Sequence, residues 1–402
     1  MKFNFTEVLF ALSYALDCVE HELIGVTTNH SKRVAYICVK IGEKWKMSTN
    51  KLLDLAACAL LHDNALTEFI QAEYTEHDEG DIKNLRVHCI MGEKNIEKVK
   101  FFGNVEGAIL YHHENADGTG PLKKMWEDIP LYARIIHLAD QLDANFDLSD
   151  VSENKYNEIK KFLYENTDTM FDKECTEAFF DCFDFEAIKQ MGNNKIDGAL
   201  RENIPIIEYE YTNEEVISFA QLFATIVDYK SEFTHNHCIG IAEKASKMGN
   251  FYGYDEDTRT KLYMAGALHD IGKLAVGNEL LEKKDKLTAQ EYKHIQTHAY
   301  QTYSILRRIE GFEEITSWAS LHHEKLNGTG YPFGKTADEL GKNERLMACL
   351  DIYQALIEKR PYKDGMEHQQ AIGILRDLVA ENQLDAGIVE DINIVFGQRA
   401  SF

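Results

Sequence analysis

The apolar run "LYMAGAL" (Leu262 to Leu268) ends in the pair His269-Asp270. Adjacent helix residues project about 100° apart, so both side chains can reach a metal lying beyond the last turn. A carboxylate there can give one oxygen to each of two metals, with imidazoles completing both shells. His237, His298, His322, His323 and Asp351 are the further candidates. Nitrogen and oxygen donors without cysteine favour Fe or Mn, with Zn or Ni left open. A pair of divalent metals suits phosphoester hydrolysis, because it activates water at neutral pH and stabilises both the attacking and the leaving oxygen. By contrast, His77-Asp78 lies in the polar run "AEYTEHDEGD" and is expected in a solvated loop.

The same constellation occurs twice. His30 falls on His237, and His62-Asp63 on His269-Asp270, at an offset of 207 residues. His88 falls on His298, and His112-His113 on His322-His323, at 210; Asp140 falls on Asp351 at 211. Five histidines and two aspartates thus keep register in both copies. A scaffold duplicated only for packing would more readily keep Leu or Ile than polar groups that need buried partners. His30, His62, Asp63, His88, His112, His113 and Asp140 therefore form a second candidate metal set.

These residues need elements to carry them. Apolar residues recur mostly at three- and four-residue intervals, and the 402 residues include only five prolines. An all-α fold is expected, as two tandem helical bundles. The copies span 1–185 and 212–402, joined by a connector over 186–211 in which Gly, Asn and Pro mark loop. Alternation in "IIEYEY" (Ile206 to Tyr211) predicts a short strand or hairpin there. Thr212 and Glu215 have capping-box spacing for the first helix of the second copy.

With 44% apolar residues the chain can bury ordinary cores, and its eight cysteines show no CxxC or dense framework, as expected of thiols in a reducing cytoplasm. "MKFNFTEVLF" has no cleavage site of a secretory leader, and no run of about 18 apolar residues predicts a membrane span. The formal charge of −24 repels a nucleic-acid polymer. A small anionic ligand remains compatible where metals and a few placed cations reverse the field. A protein partner or homo-oligomer is left open.

With "LHDIGK" (Leu268 to Lys273), "HHEKLNGTGYP" (His322 to Pro332) and "KRPY" (Lys359 to Tyr362) in this order, the second copy resembles the HD-GYP family of HD phosphohydrolases. The resemblance implies hydrolysis of cyclic di-GMP or a related cyclic dinucleotide. It implies His237, His269, Asp270 and Asp351 around one metal and His298, His322 and His323 around the other, with Asp270 bridging. Lys273 would stabilise charge on the attacked phosphate. Gly330, Tyr331 and Pro332 would shape the loop against the substrate, and Arg360 would clamp phosphate through its paired donors.

Several positions depart from the family. Phe233, and Val26 in the first copy, stand where some members carry a glutamate for a third metal, so two metals per site are expected. Asn327 replaces a common Asp that survives as Asp117, and Gly240 replaces an Arg that survives as Arg33. The first copy keeps its metal set but has Leu66 in place of the lysine, "GPL" (Gly120 to Leu122) in place of Gly-Tyr-Pro, and no RPY. It is expected to be slow or silent, and structural or regulatory. Two other functions compete: a dinucleotide sensor or docking protein with vestigial hydrolysis, and a phosphohydrolase acting on another nucleotide.

Overall fold

The computed structural model describes residues 5–24, 27–66, 85–204, 209–230, 236–283, 285–359 and 364–397. They are mostly helical, and among them strand pairing is limited to isolated β-bridges, including Asp117–Met125, Thr167–Phe171 and Asn327–Thr336. The expected all-α class is the observed one. The chain divides into two compact units, Asn4–Glu208 and Tyr209–Phe402, the latter with the first three residues.

In the first unit the helices are α1 (Phe5–Ile24), α2 (His30–Lys44), α3 (Thr49–Leu60), α4 (Leu85–Ile96), α5 (Leu131–Phe146), α6 (Glu153–Asn166), α7 (Lys173–Cys182), α8 (Phe185–Ile188) and α9 (Ile196–Asn203). Helix α2 is the axis. It is buried from His30 to Val39 and packs against α3, α5, α7 and α9. Such a helix has no solvent face, and its polar residues need partners inside the bundle.

The second unit repeats the plan with α10 (Asn213–Asp228), α11 (His237–Phe251), α12 (Glu256–Leu268), α13 (Asn278–Leu281), α14 (Ala289–Leu306), α15 (Glu313–Ser320), α16 (Lys342–Ile357), α17 (His368–Ala380) and α18 (Ala386–Gly397). Its axis is α11, packed on α12 and α16. The expected capping box starts α10: the Glu215 amide donates to Thr212 Oγ1 at 3.2 Å, and the Thr212 amide donates to Glu215 Oε2 at 2.9 Å.

Much of the expected connector is helical instead. Residues 185–203 form α8, a short 3-10 turn and α9, and Ile188, Met191, Ile196 and Leu200 are fully buried. Ile196 and Leu200 stand four apart, so one face of α9 closes on α2. Lys32 Nζ reaches Asp197 at 2.8 Å beside it. Gly198 meets nothing within 4 Å, so this glycine marked a solvent face rather than a loop. Of the expected strand, 206–208 lie outside the described residues, and Glu210 shows one bridge.

Glycines let the His-Asp turns pack on their neighbouring helices, through a backbone approach in the second unit and side-chain contacts in the first. A Cβ on Gly272 would stand 2.0 Å from the His298 carbonyl oxygen of α14. In the first unit Ala65 takes that position, and the glycine lies on the other side as Gly92 of α4, where a Cβ would meet Ile109 at 2.9 Å. Each copy thus has a glycine at this crossing, supplied by opposite partners.

If 185–203 belongs to the first unit, Leu200→Ala should cost about 2–5 kcal/mol of unfolding free energy in denaturant titration. A loss below about 0.5 kcal/mol would fit a solvated connector instead.

Candidate metal centres

His30 and His237 open α2 and α11, and each follows an asparagine in the left-handed conformation, Asn29 at φ 67° and Asn236 at φ 77°. A carboxylate from the preceding helix fixes each start. Asp17 Oδ1 accepts from the Ser31 amide at 3.1 Å, and Asp228 Oδ1 accepts from the Cys238 amide at 3.0 Å. Negative charge at these first-turn amides, which have no partner within the helix, also complements the helix dipole.

A second device recurs along the chain. The Nδ1 atoms of His62, His112, His269, His298 and His322 lie 2.6–2.8 Å from the carbonyl oxygens of Ala59, Ile109, Gly266, Ile295 and Ala319, each three residues earlier. A nitrogen facing a carbonyl carries the hydrogen, which leaves the Nε2 lone pair available for a ligand.

In the second unit these lone pairs converge on two carboxylates. Asp270 Oδ1 faces His298 and His322 Nε2 at 3.4 and 3.9 Å, while Oδ2 faces His269 and His237 Nε2 at 3.2 and 4.0 Å. Asp351 Oδ1 stands 3.2 Å from His237 Nε2 and 3.9 Å from His269 Nε2, and its Oδ2 is 3.6 Å from His323 Nδ1. The first unit has the same plan. Asp63 Oδ1 faces His88 at 2.9 Å and His112 at 3.6 Å, and its Oδ2 faces His62 at 3.6 Å. Asp140 reaches His30, His62 and His113 at 3.3, 3.8 and 3.6 Å.

All the expected ligands are thus brought together, in two separate sets. Nε2 of His62, His88, His112 and His269 and Oδ1 of Asp63 and Asp270 are buried without hydrogen-bond partners. Orphaned donors facing one another fit metal ions, since leaving each of them bare would cost about 1–3 kcal/mol. Burial drives His322 well below the ordinary imidazole range and His323 down to about 3, which holds both neutral for ligation. Burial opposes the charge of Asp270, yet His269, Lys273 and His298 hold its carboxyl well below the usual range.

Lys273, on the turn after His269-Asp270, places Nζ 2.6 Å from Asp270 Oδ2. Burial works against its charge, but Asp270 outweighs it and raises the ammonium pKa. The first unit has buried Leu66 there. Tyr331 lays its ring 4.7 Å from that of His323, at 38°. The bridges show where the first copy lacks a residue. Asp117–Met125 corresponds to Asn327–Thr336, so one position is missing between them. Glu114 accepts from the amides of Leu122 and Lys124 as Glu324 accepts from those of Phe333 and Lys335. Pro121 therefore matches Pro332, and the missing residue is Tyr331.

Two expectations change role. Gly330 closes over the His322-His323-Glu324 turn, where a Cβ would stand 2.5 Å from Glu324 Cα, so it packs the loop. Asn327 Oδ1 accepts from the amide and hydroxyl of Thr329 as Asp117 Oδ1 does from Thr119. Both side chains are exposed loop organisers, and the exchange of Asp for Asn leaves the metal ligands untouched. Arg360, Phe233 and Val26 lie outside the described residues.

The loss of Arg33 in the second copy also has a local explanation. Asp143 accepts from His30 Nδ1 at 2.7 Å and from Arg33 Nε at 2.6 Å, all three buried. The corresponding pair is Gln354 and Gly240, and a Cβ on Gly240 would stand 2.5 Å from Gln354 Nε2. His237 Nδ1 turns instead to Glu358 Oε2 at 3.2 Å. The motif reading missed Asp143 and Glu358. Their only sequence signal is a carboxylate three or seven residues after the aspartate ligand, Asp143 on the same helix and Glu358 just past its end.

Residues 21–174 and 221–388 both match the model of the family described as HD domain. The chain belongs to the HD-domain family. Its second repeat carries the motifs of the HD-GYP branch, and the first is a diverged copy. A relative from Vibrio cholerae, 3'3'-cGAMP-specific phosphodiesterase 1, is 28% identical over 97% of this chain and 91% of its own length. The 3'3'-cGAMP-specific phosphodiesterase 3 of the same organism is 29% identical over 73% of this chain and 63% of its own. Cyclic di-GMP phosphodiesterase PA4108 of Pseudomonas aeruginosa is 31% identical over 35% of this chain and 34% of its own. The crystal structure of the V. cholerae cyclic GMP-AMP-specific phosphodiesterase V-cGAP3 shares the fold, with a TM-score of 0.67 at 22% identity over 99% of both chains. Among the described residues no helix is long and apolar enough to cross a membrane.

Replacing Arg33 by Met should cost about 3–5 kcal/mol, because Asp143 would lose its buried counter-charge. Glu358→Gln should weaken metal binding about 10- to 100-fold, as loss of a histidine-orienting partner does. Denaturant titration and competition with a metal-sensitive dye check the two. Unchanged values would reduce these side chains to packing.

Proposed function

We propose that this HD-domain protein is a metal-dependent phosphodiesterase that hydrolyses a cyclic dinucleotide at its second repeat. The observation that carries the reading is the contrast between copies: both repeats keep the candidate ligand sets, but only the second has Lys273 against the central carboxylate, Asp270, and Tyr331 beside His323. The names of the relatives support the substrate class. Among them, the one spanning nearly the whole chain is named for 3'3'-cGAMP, which favours the hybrid dinucleotide over cyclic di-GMP.

His237, His269, Asp270 and Asp351 would hold one divalent ion and His298, His322 and His323 the other, with Asp270 shared. Fe or Mn suits this donor set. When bound, such a pair lowers the pKa of water and draws charge from phosphoryl oxygens. The chain supplies the remaining chemistry. Lys273, kept protonated by Asp270, neutralises the negative charge that builds on the phosphoryl oxygens. Tyr331, largely buried over His323, offers its ring as a wall for a base or ribose and keeps bulk water off that flank. Glu324 pins the loop that presents Tyr331 by accepting from the amides of Phe333, Gly334 and Lys335.

In the first repeat the residues expected to hold phosphate are absent, and we read it as a metal-holding copy with little or no turnover. The sensor reading and the alternative-nucleotide reading are outcomes of the same test.

Protein purified without oxygen and loaded with Fe or Mn should convert 3'3'-cGAMP faster than cyclic di-GMP at matched concentrations, followed by chromatography. Asp270→Ala should abolish turnover, Lys273→Ala should lower it about 100-fold, and Asp63→Ala should leave most of it. Equal losses in Asp63→Ala and Asp270→Ala would assign activity to both repeats. Loaded protein that turns over neither dinucleotide would end the phosphodiesterase reading for them.

A further inference from the structure

Beside the first repeat's metal set lies an open cleft of about 660 Å³, walled by Arg86, His113, Gly120, Pro121, His137, Gln141 and Met170 among others. Its volume is within the range of small-molecule sites. His137 is only 4% exposed. Its Nδ1 faces the His112 carbonyl oxygen at 2.9 Å and so carries the hydrogen, leaving Nε2 as an acceptor with no partner. A buried acceptor of this kind costs about 1–3 kcal/mol until a donor reaches it.

The second repeat shows that the fold does not require these side chains. Ala348 stands for His137, Ile352 for Gln141 and Gln296 for Arg86. Three positions on one cleft wall are thus more polar or more basic than their counterparts in the second repeat, while at a fourth Asn115 stands for Lys325. Loss of function alone would not direct polar groups to one cavity.

We infer that this cleft is a binding site for a phosphodiester-linked dinucleotide, separate from the catalytic centre of the second repeat. The inference rests on the cyclic-dinucleotide reading for the ligand class. Arg86 offers guanidinium donors to a phosphate. His137 walls the cleft with its ring, and the Gln141 amide can donate to or accept from a base or ribose. Pro121 and Met170 give apolar surface for a base face. Without the cation of the hydrolytic site, the ligand stays bound rather than being cleaved.

The ligand could be the cyclic dinucleotide or the linear product of its opening, and the test separates them. Asp270→Ala chain, loaded with Mn, is mixed with 3'3'-cGAMP or with the linear dinucleotide, and amide hydrogen exchange is followed by mass spectrometry. The expected result is slowed exchange in peptides covering 85–96, 112–123 and 131–146 with at least one of the two ligands. Arg86→Gln and His137→Ala, each installing the second repeat's own residue, should weaken that protection at least tenfold in ligand concentration. Arg86 is exposed, so its replacement cannot be dismissed as unfolding. Absence of first-repeat protection with both ligands overturns the proposal, whatever the second repeat does. Protection unaffected by either substitution also overturns it, because the ligand then sits elsewhere. Turnover by the wild-type chain is read separately, so failure of the phosphodiesterase reading is distinguishable from failure of this site.

Discussion

A carboxylate buried among imidazoles governs both units. Taking an ionised carboxylate out of water costs several kcal/mol even after relaxation, and the cost is met only by nearby positive charge and aligned donors. Asp63 and Asp270 each present one oxygen to one group of histidines and the other oxygen to a second group. Lys273 meets part of that charge at Asp270, and cations held between the inward-facing imidazole nitrogens would meet the rest. The arrangement of orphaned acceptors is therefore the strongest physical argument for metal in this protein.

The surrounding helices exist to hold those acceptors in place. Five of the imidazoles, His62, His112, His269, His298 and His322, are fixed by the carbonyl three residues back, and His30 and His237 by carboxylates. The close approaches at Gly272 and Gly92 bring the His-Asp turn within reach of the helix carrying His298 or His88. A misplacement of about 1 Å would take these groups out of ligand range, so the packing around the centre tolerates little change.

Divergence between the copies followed the same physics. Where Gly240 stands in place of the arginine, Gln354 stands in place of its carboxylate partner, and Glu358 faces the first histidine instead. A charge is not abandoned in a core; it disappears with its partner. Asn327 for Asp at an exposed turn needed no compensation, because one amide oxygen makes the same two hydrogen bonds. The two departures looked equally damaging in the motif, yet one is a coupled core exchange and the other is neutral.

The sequence by itself determined the duplication, the helical class, the capping box at Thr212 and the five histidines and two aspartates of each copy that the fold brings together. It could do so because metal donors are few in kind and were kept in register, so their spacing survives translation into one dimension. Only the tertiary structure decided that residues 185–203 close the first bundle, that Tyr331 is the residue the first copy lacks, and that Asp143 and Glu358 hold the opening histidines. These depend on which faces meet across helices more than 100 residues apart, such as His30 with Asp143 and His237 with Glu358. Local periodicity says that a face is buried, but which side chain it meets is fixed only when the bundle closes.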